Sequence, residues 1–191
     1  MKKIWLIRHG ESITNAGQPT QDHSMIPLSP LGIKQAQDLA LTITEKPELI
    51  VTSPYLRAQQ TALQTIGRFP GVSTGIWDCI HEFVYLAPAD CVGTTSVQRR
   101  PRVINYWRAC DPDYVDGEGA ESYHHLLERI HTTMRLLEQR PEKFIILFTH
   151  AQFIRNFLLV YNNPGLSDLD YMRAFRKSNP VHNCEVVEIT M

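Results

Sequence analysis

Short apolar runs alternate with longer segments of helical periodicity along this chain, and this alternation restricts the possible folds more than any other feature. Four runs are typical of strands: "KIWLI" (3–7), "ELIVT" (48–52), "KFIILF" (143–148) and "CEVVEI" (184–189). After Lys143 the third run is continuously apolar, which is typical of a central parallel strand that is covered on both faces. The alternation predicts a three-layer α/β/α fold, in which helices cover both faces of a mostly parallel sheet.

The segments between these runs carry helix signals. In "LSPLGIKQAQDLALTIT" we interpret Ser29 as the N-cap and Pro30 as the first helical residue, and in "SPYLRAQQTALQTI" Ser53 and Pro54 repeat that pattern. "ESYHHLLERIHTTMRLLEQ" and "AQFIRNFLLVY" are predicted as two later helices. Segment 84–120 is rich in turn formers, and we interpret it as an insertion or lid with a short helix around 101–109.

Length and composition exclude several classes of protein. A chain of 191 residues is expected to form one domain, 1–191, and its formal net charge of −1 argues against a nucleic-acid partner. No apolar run approaches the roughly 20 residues of a membrane-spanning helix, so we expect no membrane partner. The apolar run after Lys2 and Lys3 is too short for a signal peptide, so a cytoplasmic location is the default expectation.

The cysteines give no sign of a disulfide framework or of a metal site. They are widely spaced and form no CxxC pair, so we interpret them as free thiols and expect neither a metal nor a cofactor. Nothing in the sequence sets the oligomeric state, and both a monomer and a homodimer remain open. The four cysteines are Cys79, Cys91, Cys110 and Cys184.

Cationic side chains follow the predicted strands at the points where those strands end. Arg8 and His9 follow the first strand, His150 follows the strand at 143–148, and Arg57 lies in the first turn of the helix after the second strand. Ligands of open α/β sheets bind at the carboxyl ends of the strands, so these side chains are expected to converge. Two arginines and two histidines repel one another unless an anion lies between them, which predicts a site for a phosphoryl group.

The same residues carry a resemblance to a known family. "LIRHGESITN" resembles the signature of the histidine phosphatase superfamily, also called the phosphoglycerate mutase-like family, and of its branch 1 type in particular. "SPYLRAQQTA" and "THAQFIRNFL" resemble its second and closing motifs, and "GAESYHHLLERI" resembles the Gly-Glu-Ser segment that opens a later helix. The resemblance runs from Lys3 to about Ile189 in the family's order, and it implies a phosphoglycerate mutase-like fold.

The resemblance implies phosphoryl transfer in two steps through a phosphohistidine. His9 would be the nucleophile, and it must be neutral in order to attack. Arg8, Arg57 and His150 would hold the oxygens of the phosphoryl group, where the transition state accumulates charge. These cationic groups would do the work of a divalent metal, so the implied enzyme is a metal-independent phosphatase of the histidine acid type.

Two further residues receive roles through the resemblance. Asn15 matches the asparagine that hydrogen-bonds the phosphoryl group, although in "TNAG" it is equally typical of a turn. Glu82, in "CIHEFVYL", lies where the family carries its acid and would protonate the leaving oxygen and then activate water. The surrounding "HEFVY" departs from the family's common pattern, so a solvated loop acid remains the alternative interpretation of Glu82.

Several residues near these motifs are candidates for binding the substrate. His150 is followed by Ala151 and Gln152 instead of the family's paired glycines, which makes Gln152 a candidate for a substrate contact. Tyr85 resembles the mutase arrangement Glu-x-x-Tyr. A basic run in the insertion supplies further cations for an acidic substrate, and the substrate-binding candidates are Tyr85, Arg99, Arg100 and Gln152.

Three functions remain open at this point. The first is a phosphomonoesterase that acts on a small phosphorylated metabolite and transfers the phosphoryl group to water. The second is a cofactor-dependent phosphoglycerate mutase, which "QRR" and Tyr85 favour slightly; such mutases typically carry a C-terminal tail, and this chain ends just after "CEVVEIT". The third is a non-catalytic sensor of phosphorylated ligands. A sensor needs neither a nucleophile nor an acid, so the phosphatase is the favoured interpretation.

Overall fold

The computed structural model describes residues 1–191, and it contains the predicted α/β architecture. Four of the five strands are those predicted, with ends that differ by one or two residues. The strands are β1 (Lys3–Arg8), β2 (Leu49–Thr52), β3 (Ser73–Ile76), β4 (Phe144–Thr149) and β5 (Val186–Thr190).

The five strands form one sheet in the order β3-β2-β4-β1-β5. Strands β3, β2, β4 and β1 run parallel, and β5 pairs antiparallel with β1 at one edge. All six residues of the central strand β4 are buried, as its continuous apolar run predicts. The expectation of a mostly parallel sheet is therefore confirmed.

Helices cover both faces of this sheet, which confirms the three-layer architecture. Alternate β4 residues face opposite sides, so Ile145 and Leu147 belong to one core cluster and Ile146 and Phe148 to the other. The helices are α1 (Pro30–Thr42), α2 (Leu56–Arg68), α3 (Pro88–Cys91), α4 (Ser96–Ala109), α5 (Tyr123–Gln139), α6 (Ala151–Asn162) and α7 (Asp168–Phe175). The larger cluster packs against α5, α6 and α7, and the smaller one against α1 and α2.

The predicted start of α2 is wrong. The helix begins at Leu56, and Tyr55 occupies the N-cap position without a side-chain hydrogen bond to the helix. The Ser53 hydroxyl accepts only from the Tyr55 backbone N–H, over 3.3 Å, and it also lies 2.8 Å from His150 Nε2. Ser53 is therefore drawn toward the end of β4 and does not cap the helix. By contrast, Ser29 caps α1 as predicted, since its side chain accepts from Gly32 N.

The helix predicted around 101–109 begins earlier, at Ser96. Thr95 and Gln98 form a capping box, in which each side chain accepts a hydrogen bond from the other residue's backbone N–H. Pro101 lies inside the helix, although the sequence suggested that it starts there. Three further elements were not predicted: the edge strand β3, the short helix α3, and α7 with its N-cap Ser167.

Segment 84–120 contains α3 and α4 and contacts the loop that follows β1. Thr20 N donates to Thr94 O over 2.9 Å, and Gly93 N donates to Thr20 O over 2.7 Å. These two hydrogen bonds join the segment to the loop that carries Asn15. No helix of the chain is long and apolar enough to span a bilayer.

Candidate active site

The sheet register brings the two motif histidines together. Strands β1 and β4 are adjacent and parallel, and Arg8 pairs with Thr149, so His9 and His150 leave the sheet side by side. His9 N donates to Thr149 O over 3.0 Å, and the centres of the two imidazole rings are 5.2 Å apart. The convergence that the sequence predicts at the carboxyl edge of the sheet is present for this pair.

The hydrogen bonds of the His9 ring define its tautomer. Nδ1 lies 2.6 Å from Gly10 O, a carbonyl that can only accept, so the proton is assigned to Nδ1. Nε2 accepts a hydrogen bond from Arg57 Nε over 3.2 Å, so it carries the lone pair. The His9 ring is therefore neutral, with Nε2 as the nitrogen that can act as a nucleophile.

The backbone around His9 is held from several sides. Asn183 Nδ2 donates to His9 O over 2.9 Å, and Gly10 N donates to Thr61 Oγ1 over 3.0 Å. Gly10 also passes so close to Gly32, at the start of α1, that a Cβ on Gly10 would lie 2.5 Å from Gly32 O. Glycine at these two positions permits the close backbone approach that fixes the loop after β1.

The two arginines lie beside the histidines, with Arg57 buried and Arg8 partly buried. Arg57, in the first turn of α2, is 7% exposed and also donates from Nη1 to His23 O over 2.7 Å. Arg8 donates from Nη1 to Val181 O over 2.8 Å. Burial lowers the pKa of both guanidinium groups, and the negative charge of Glu82 opposes that shift in each case. Arginine nevertheless keeps its proton in proteins, so both groups supply positive charge to the site.

Burial and this positive charge keep the two histidines neutral. Removal from water holds the pKa of His9 well below its ordinary value, and the Arg57 charge acts in the same direction. The fully buried His150 is affected in the same way, with burial as the largest cause and Arg57 as the next. The expectation that His9 must be neutral in order to attack therefore agrees with the electrostatics of the site.

The proton of His150 follows from its contact with Ser53. The Ser53 hydroxyl accepts from the Tyr55 backbone N–H and has no acceptor in the protein other than His150 Nε2, 2.8 Å away, so we assign its hydrogen to that contact. This assignment places the His150 proton on Nδ1, which is buried and has no partner in the protein. The Tyr55 ring packs edge-on against the His150 ring, with the two centres 5.2 Å apart.

Two buried donors of the site are therefore left without acceptors. They are Nε of Arg8 and Nδ1 of His150. Leaving buried donors unpaired costs about 1–3 kcal/mol each, more for charged groups, so buried donors of this kind mark a site for an acceptor. A tetrahedral oxyanion offers acceptors on several sides, and this donor set suits it. No three His, Cys, Asp or Glu side chains are grouped so that they could hold a metal ion.

The Glu82 carboxylate lies at the N-terminus of α6, the helix that begins directly after His150. Its Oε1 accepts from Phe153 N over 3.2 Å and from its own neighbour Phe83 N over 3.0 Å, and its Oε2 lies 3.4 Å from Gln152 N. The first-turn N–H groups of a helix favour such an acceptor. The carboxylate is held by α6 and is not a freely solvated loop acid.

A cavity of about 390 Å³ adjoins this cluster. Asn15, Arg57 and Glu82 line it on the side of the histidines, and segment 84–120 supplies much of the opposite wall. The Asn15 side-chain oxygen accepts from Ser12 N over 3.2 Å, which leaves the Asn15 amide nitrogen without a partner in the protein. The apolar part of the lining consists of Ile26, Phe83, Val84, Leu86, Pro88 and Val103, with the Tyr85 ring beside them.

The remaining substrate-binding candidates are not all in this cavity. Tyr85, Arg99 and Gln152 line it, and Arg99 Nη1 donates to Thr94 O over 2.7 Å. Arg100, on the adjacent position of α4, is exposed to solvent and does not line it. A helix turns by about 100° per residue, so neighbouring arginines point in different directions. The structure therefore separates the two arginines that the sequence grouped together.

Several residues of the site were not identified from the sequence. Ser53 and Tyr55 contact His150, Thr61 accepts from Gly10 N, and Asn183 holds the His9 carbonyl. Ser53 and Tyr55 lie within the second motif, close to Arg57 in sequence, and this proximity is the feature from which their place in the site could have been predicted. Thr61 lies one helical turn after Arg57, a spacing that places both on one face of α2.

Comparison with known proteins identifies the family. The sequence profile of the histidine phosphatase superfamily (branch 1) matches residues 4–191. The chain belongs to this superfamily. The resemblance noted in the motifs is therefore confirmed over nearly the whole chain, and His9, Arg57 and His150 lie within the matched region.

Curated members of the histidine phosphatase superfamily share modest identity with this chain. The adenosylcobalamin/alpha-ribazole phosphatase of Escherichia coli K12 is 27% identical over 176 residues, which cover 86% of this chain and 75% of that protein. A probable fructose-2,6-bisphosphatase of Schizosaccharomyces pombe is 29% identical over 99% of this chain but only 43% of its own length. The probable phosphoglycerate mutase GpmB of Yersinia pestis is 38% identical, over 63 residues, or 32% of this chain.

Solved structures of histidine phosphatases share the fold. A mycobacterial glucosyl-3-phosphoglycerate phosphatase in complex with VO3 aligns with a TM-score of 0.77 at 23% identity, covering 100% of this chain and 93% of that one. The alpha-ribazole phosphatase of Shigella flexneri aligns with a TM-score of 0.75 at 23% identity, covering 99% and 90%. At this level of identity the likeness shows the phosphoglycerate mutase-like fold alone.

Proposed function

We propose that this histidine phosphatase family member is a phosphomonoesterase that acts through a phosphohistidine on Nε2 of His9. The observation that carries the proposal is the hydrogen bonding of the His9 ring. Gly10 O binds the Nδ1 proton, and Arg57 Nε donates to Nε2, so a neutral nucleophile faces a cationic group. When a phosphoryl group binds beside Nε2, Arg57 Nε transfers its hydrogen bond from Nε2 to a phosphoryl oxygen, which frees the lone pair to attack phosphorus and keeps positive charge at the oxygens.

The proposed reaction has two steps. In the first, which requires the protonated form of Glu82, Nε2 attacks phosphorus, the bond to the leaving oxygen breaks, and the Glu82 carboxyl gives that oxygen its proton. In the second, Glu82 takes a proton from water as the water oxygen attacks phosphorus, and the bond to Nε2 breaks. Arg8, Arg57 and the Nδ1 proton of His150 stabilise the charge on the phosphoryl oxygens in both steps.

The cavity beside the cluster supports a small phosphorylated metabolite as the substrate. Its volume of about 390 Å³ falls in the range of ligand pockets, and its wall is partly apolar. Gln152 Oε1 is buried without a partner and lies in the lining, so it can accept from a hydroxyl or amino group of the substrate. Tyr85 and Arg99 supply a ring face and a positive charge to the same space.

The names of the relatives support a phosphatase more than a mutase. The relatives that align along most of this chain are named for hydrolysis of phosphate esters, whereas the mutase match covers 32% of it. The mutase remains the second candidate because Arg99 lines the cavity and offers a cation to an acidic substrate. A requirement for priming by a bisphosphorylated compound would favour it.

The proposal is tested by hydrolysis of p-nitrophenyl phosphate in the presence of EDTA. The native chain and a His131→Gln variant, whose histidine is exposed on α5, are expected to be equally active. His9→Gln is expected to be inactive while binding phosphate. Activity that EDTA abolishes would contradict a metal-independent reaction, and full activity in His9→Gln would contradict the nucleophile.

A further inference from the structure

We propose that Arg129 and Glu121, which lie outside the catalytic cluster, are positioning residues that fix Glu82 for proton transfer. The proposal rests on the proposed phosphatase function and deepens it. Both residues belong to the region of α5: Glu121 precedes its N-cap Ser122, and Arg129 lies two turns into the helix. Neither lines the substrate cavity, so their effect on the reaction must pass through Glu82.

Arg129 holds the segment that precedes Glu82. Its Nη1 donates to Cys79 O over 2.7 Å and to His81 O over 3.1 Å. Its Nε and Nη2 donate to the two carboxylate oxygens of Glu121, over 2.9 Å and 2.6 Å. One guanidinium therefore makes four hydrogen bonds, two of which end on the backbone within three residues of the acid. This fork geometry is one that lysine cannot reproduce.

Glu121 holds the segment on the other side of Glu82. Its Oε1 accepts from Val84 N over 3.1 Å, and its backbone N–H donates to Val84 O over 2.9 Å. The Arg129–Glu121 pair is thus hydrogen-bonded to the backbone at positions 79, 81 and 84, and Glu82 lies between these contacts. A further contact comes from the sheet, where Thr149 Oγ1 donates to Ile80 O over 2.6 Å.

Burial argues that this pair is more than a surface salt bridge. The side chains of Arg129 and Glu121 are 16% and 14% exposed. A pair that is largely removed from water gains little net stability from its charges, because the desolvation cost offsets the attraction. What the ion pair does in the structure is fix the path of the backbone on both sides of Glu82. This path determines where the Glu82 carboxylate contacts α6.

The position of the carboxylate matters because its contacts with α6 are long. The two hydrogen bonds from α6 to Glu82 measure 3.2 Å and 3.4 Å, near the limit for N–H donors. These contacts orient the group without locking it, so the backbone must supply the remaining precision. Proton transfer requires the donor within about 2.6–3.2 Å of the leaving oxygen, and a shift of 1 Å is expected to be costly.

The test compares two substrates that differ in their need for an acid. p-Nitrophenolate leaves without a proton, whereas the alkoxide of glycerol 2-phosphate needs one. Arg129→Lys is expected to lower kcat/KM for glycerol 2-phosphate at least tenfold more than for p-nitrophenyl phosphate. Glu82→Gln is expected to show the same selective loss, and the double variant is expected to lose no more than Glu82→Gln alone. Equal losses on both substrates, or additive losses in the double variant, would overturn the positioning role.

The matched control is Arg140→Lys. Arg140 makes the same two-pronged contact with a carboxylate, that of Glu142, in the loop that leads into β4 at the opposite end of that strand from the cluster. We expect this variant to affect both substrates equally and slightly. If Arg129→Lys does not fold, Glu121→Gln tests the same pair, since the amide oxygen can still accept from Val84 N while the ion pair is lost.

Failure of this proposal is distinguishable from failure of the proposed function. If the native chain hydrolyses neither ester, the phosphatase assignment fails and the positioning role fails with it. If the native chain hydrolyses both, and Arg129→Lys and Glu121→Gln affect both esters equally, only the positioning role is overturned.

Discussion

Arg57 Nε donates a hydrogen bond to His9 Nε2 over 3.2 Å, so the ring nitrogen that faces the arginine is the one without a proton. The opposite nitrogen, Nδ1, is bound to Gly10 O. A single backbone carbonyl and a single guanidinium thus fix both the tautomer and the direction of the lone pair. Orientation of this kind, prepared before the substrate arrives, is a large part of what a catalytic site supplies.

Replacement of Arg57 by lysine tests this relationship. A lysine keeps the charge, but its single nitrogen cannot occupy the two positions from which Nε and Nη1 of Arg57 donate to His9 Nε2 and His23 O. We expect kcat/KM for p-nitrophenyl phosphate to fall by about 10²–10³, the range found for loss of one preorganised donor. Arg68→Lys, at the other end of α2, is the control. A loss below threefold in Arg57→Lys would show that charge alone suffices.

The close approach of the loop after β1 to α1 predicts a strong effect at Gly32. A Cβ at this position would lie 1.9 Å from Glu11 O, so Gly32→Ala must displace the backbone next to His9 and Gly10. We expect a loss of about 1–3 kcal/mol in the free energy of unfolding, measured with urea, together with reduced activity. Gly67→Ala in α2 is the control, since nothing lies within 4 Å of its Cβ. It is expected to be neutral or up to about 1 kcal/mol stabilising.

The stability of the fold is expected to depend on pH through the buried histidines. The pKa values of His9 and His150 lie well below the ordinary value of about 6.5, which applies to the unfolded chain. Below that pH the unfolded chain binds protons that the folded chain does not, so the stability present above pH 6.5 is lost as the pH falls. Each histidine contributes a slope of up to about 1.4 kcal/mol per pH unit.

Urea unfolding at pH 8, 7, 6 and 5 measures this dependence. The difference between the native chain and His9→Gln isolates His9, because the other titrating groups are common to both chains. We expect the native chain to lose more stability than the variant between pH 7 and pH 5. Parallel curves for the two chains would contradict a depressed pKa for His9.

The sequence predicted the parts of the fold that depend on local pattern. Strand β4 is apolar from Phe144 to Phe148, and Ser29 with Pro30 marks the start of α1, so both were identified. Strand β3 was missed because three of its four residues, Ser73, Thr74 and Gly75, are not apolar and it lies at an exposed edge. Ser53 was wrongly predicted as the N-cap of α2 because its hydroxyl forms a hydrogen bond with His150, which is 97 residues away in sequence.

In the candidate site, too, the features set by local sequence pattern were predictable, and the contacts between residues distant in sequence were not. His9 and His150 were predictable because each directly follows a strand, and parallel strands end at one edge of the sheet. The contacts that orient them were not predictable, since they join Gly10 to Thr61 and His9 to Asn183 across the fold. Nothing in the sequence indicated a role for Arg129, because it lies in a helix that was predicted from the apolar periodicity of its neighbours alone.

The central claim is that the phosphoryl group is carried on Nε2 of His9, and the most direct measurement is the identification of the phosphorylated atom. Glu82→Gln should still be phosphorylated by p-nitrophenyl phosphate, since nitrophenolate needs no proton, but should hydrolyse slowly because the amide cannot accept a proton from water. In quenched samples of this variant we expect an acid-labile phosphate on Nε2 of His9, with one equivalent of nitrophenol released. Release of that nitrophenol with phosphate on another side chain, on Nδ1, or on no residue would contradict the account.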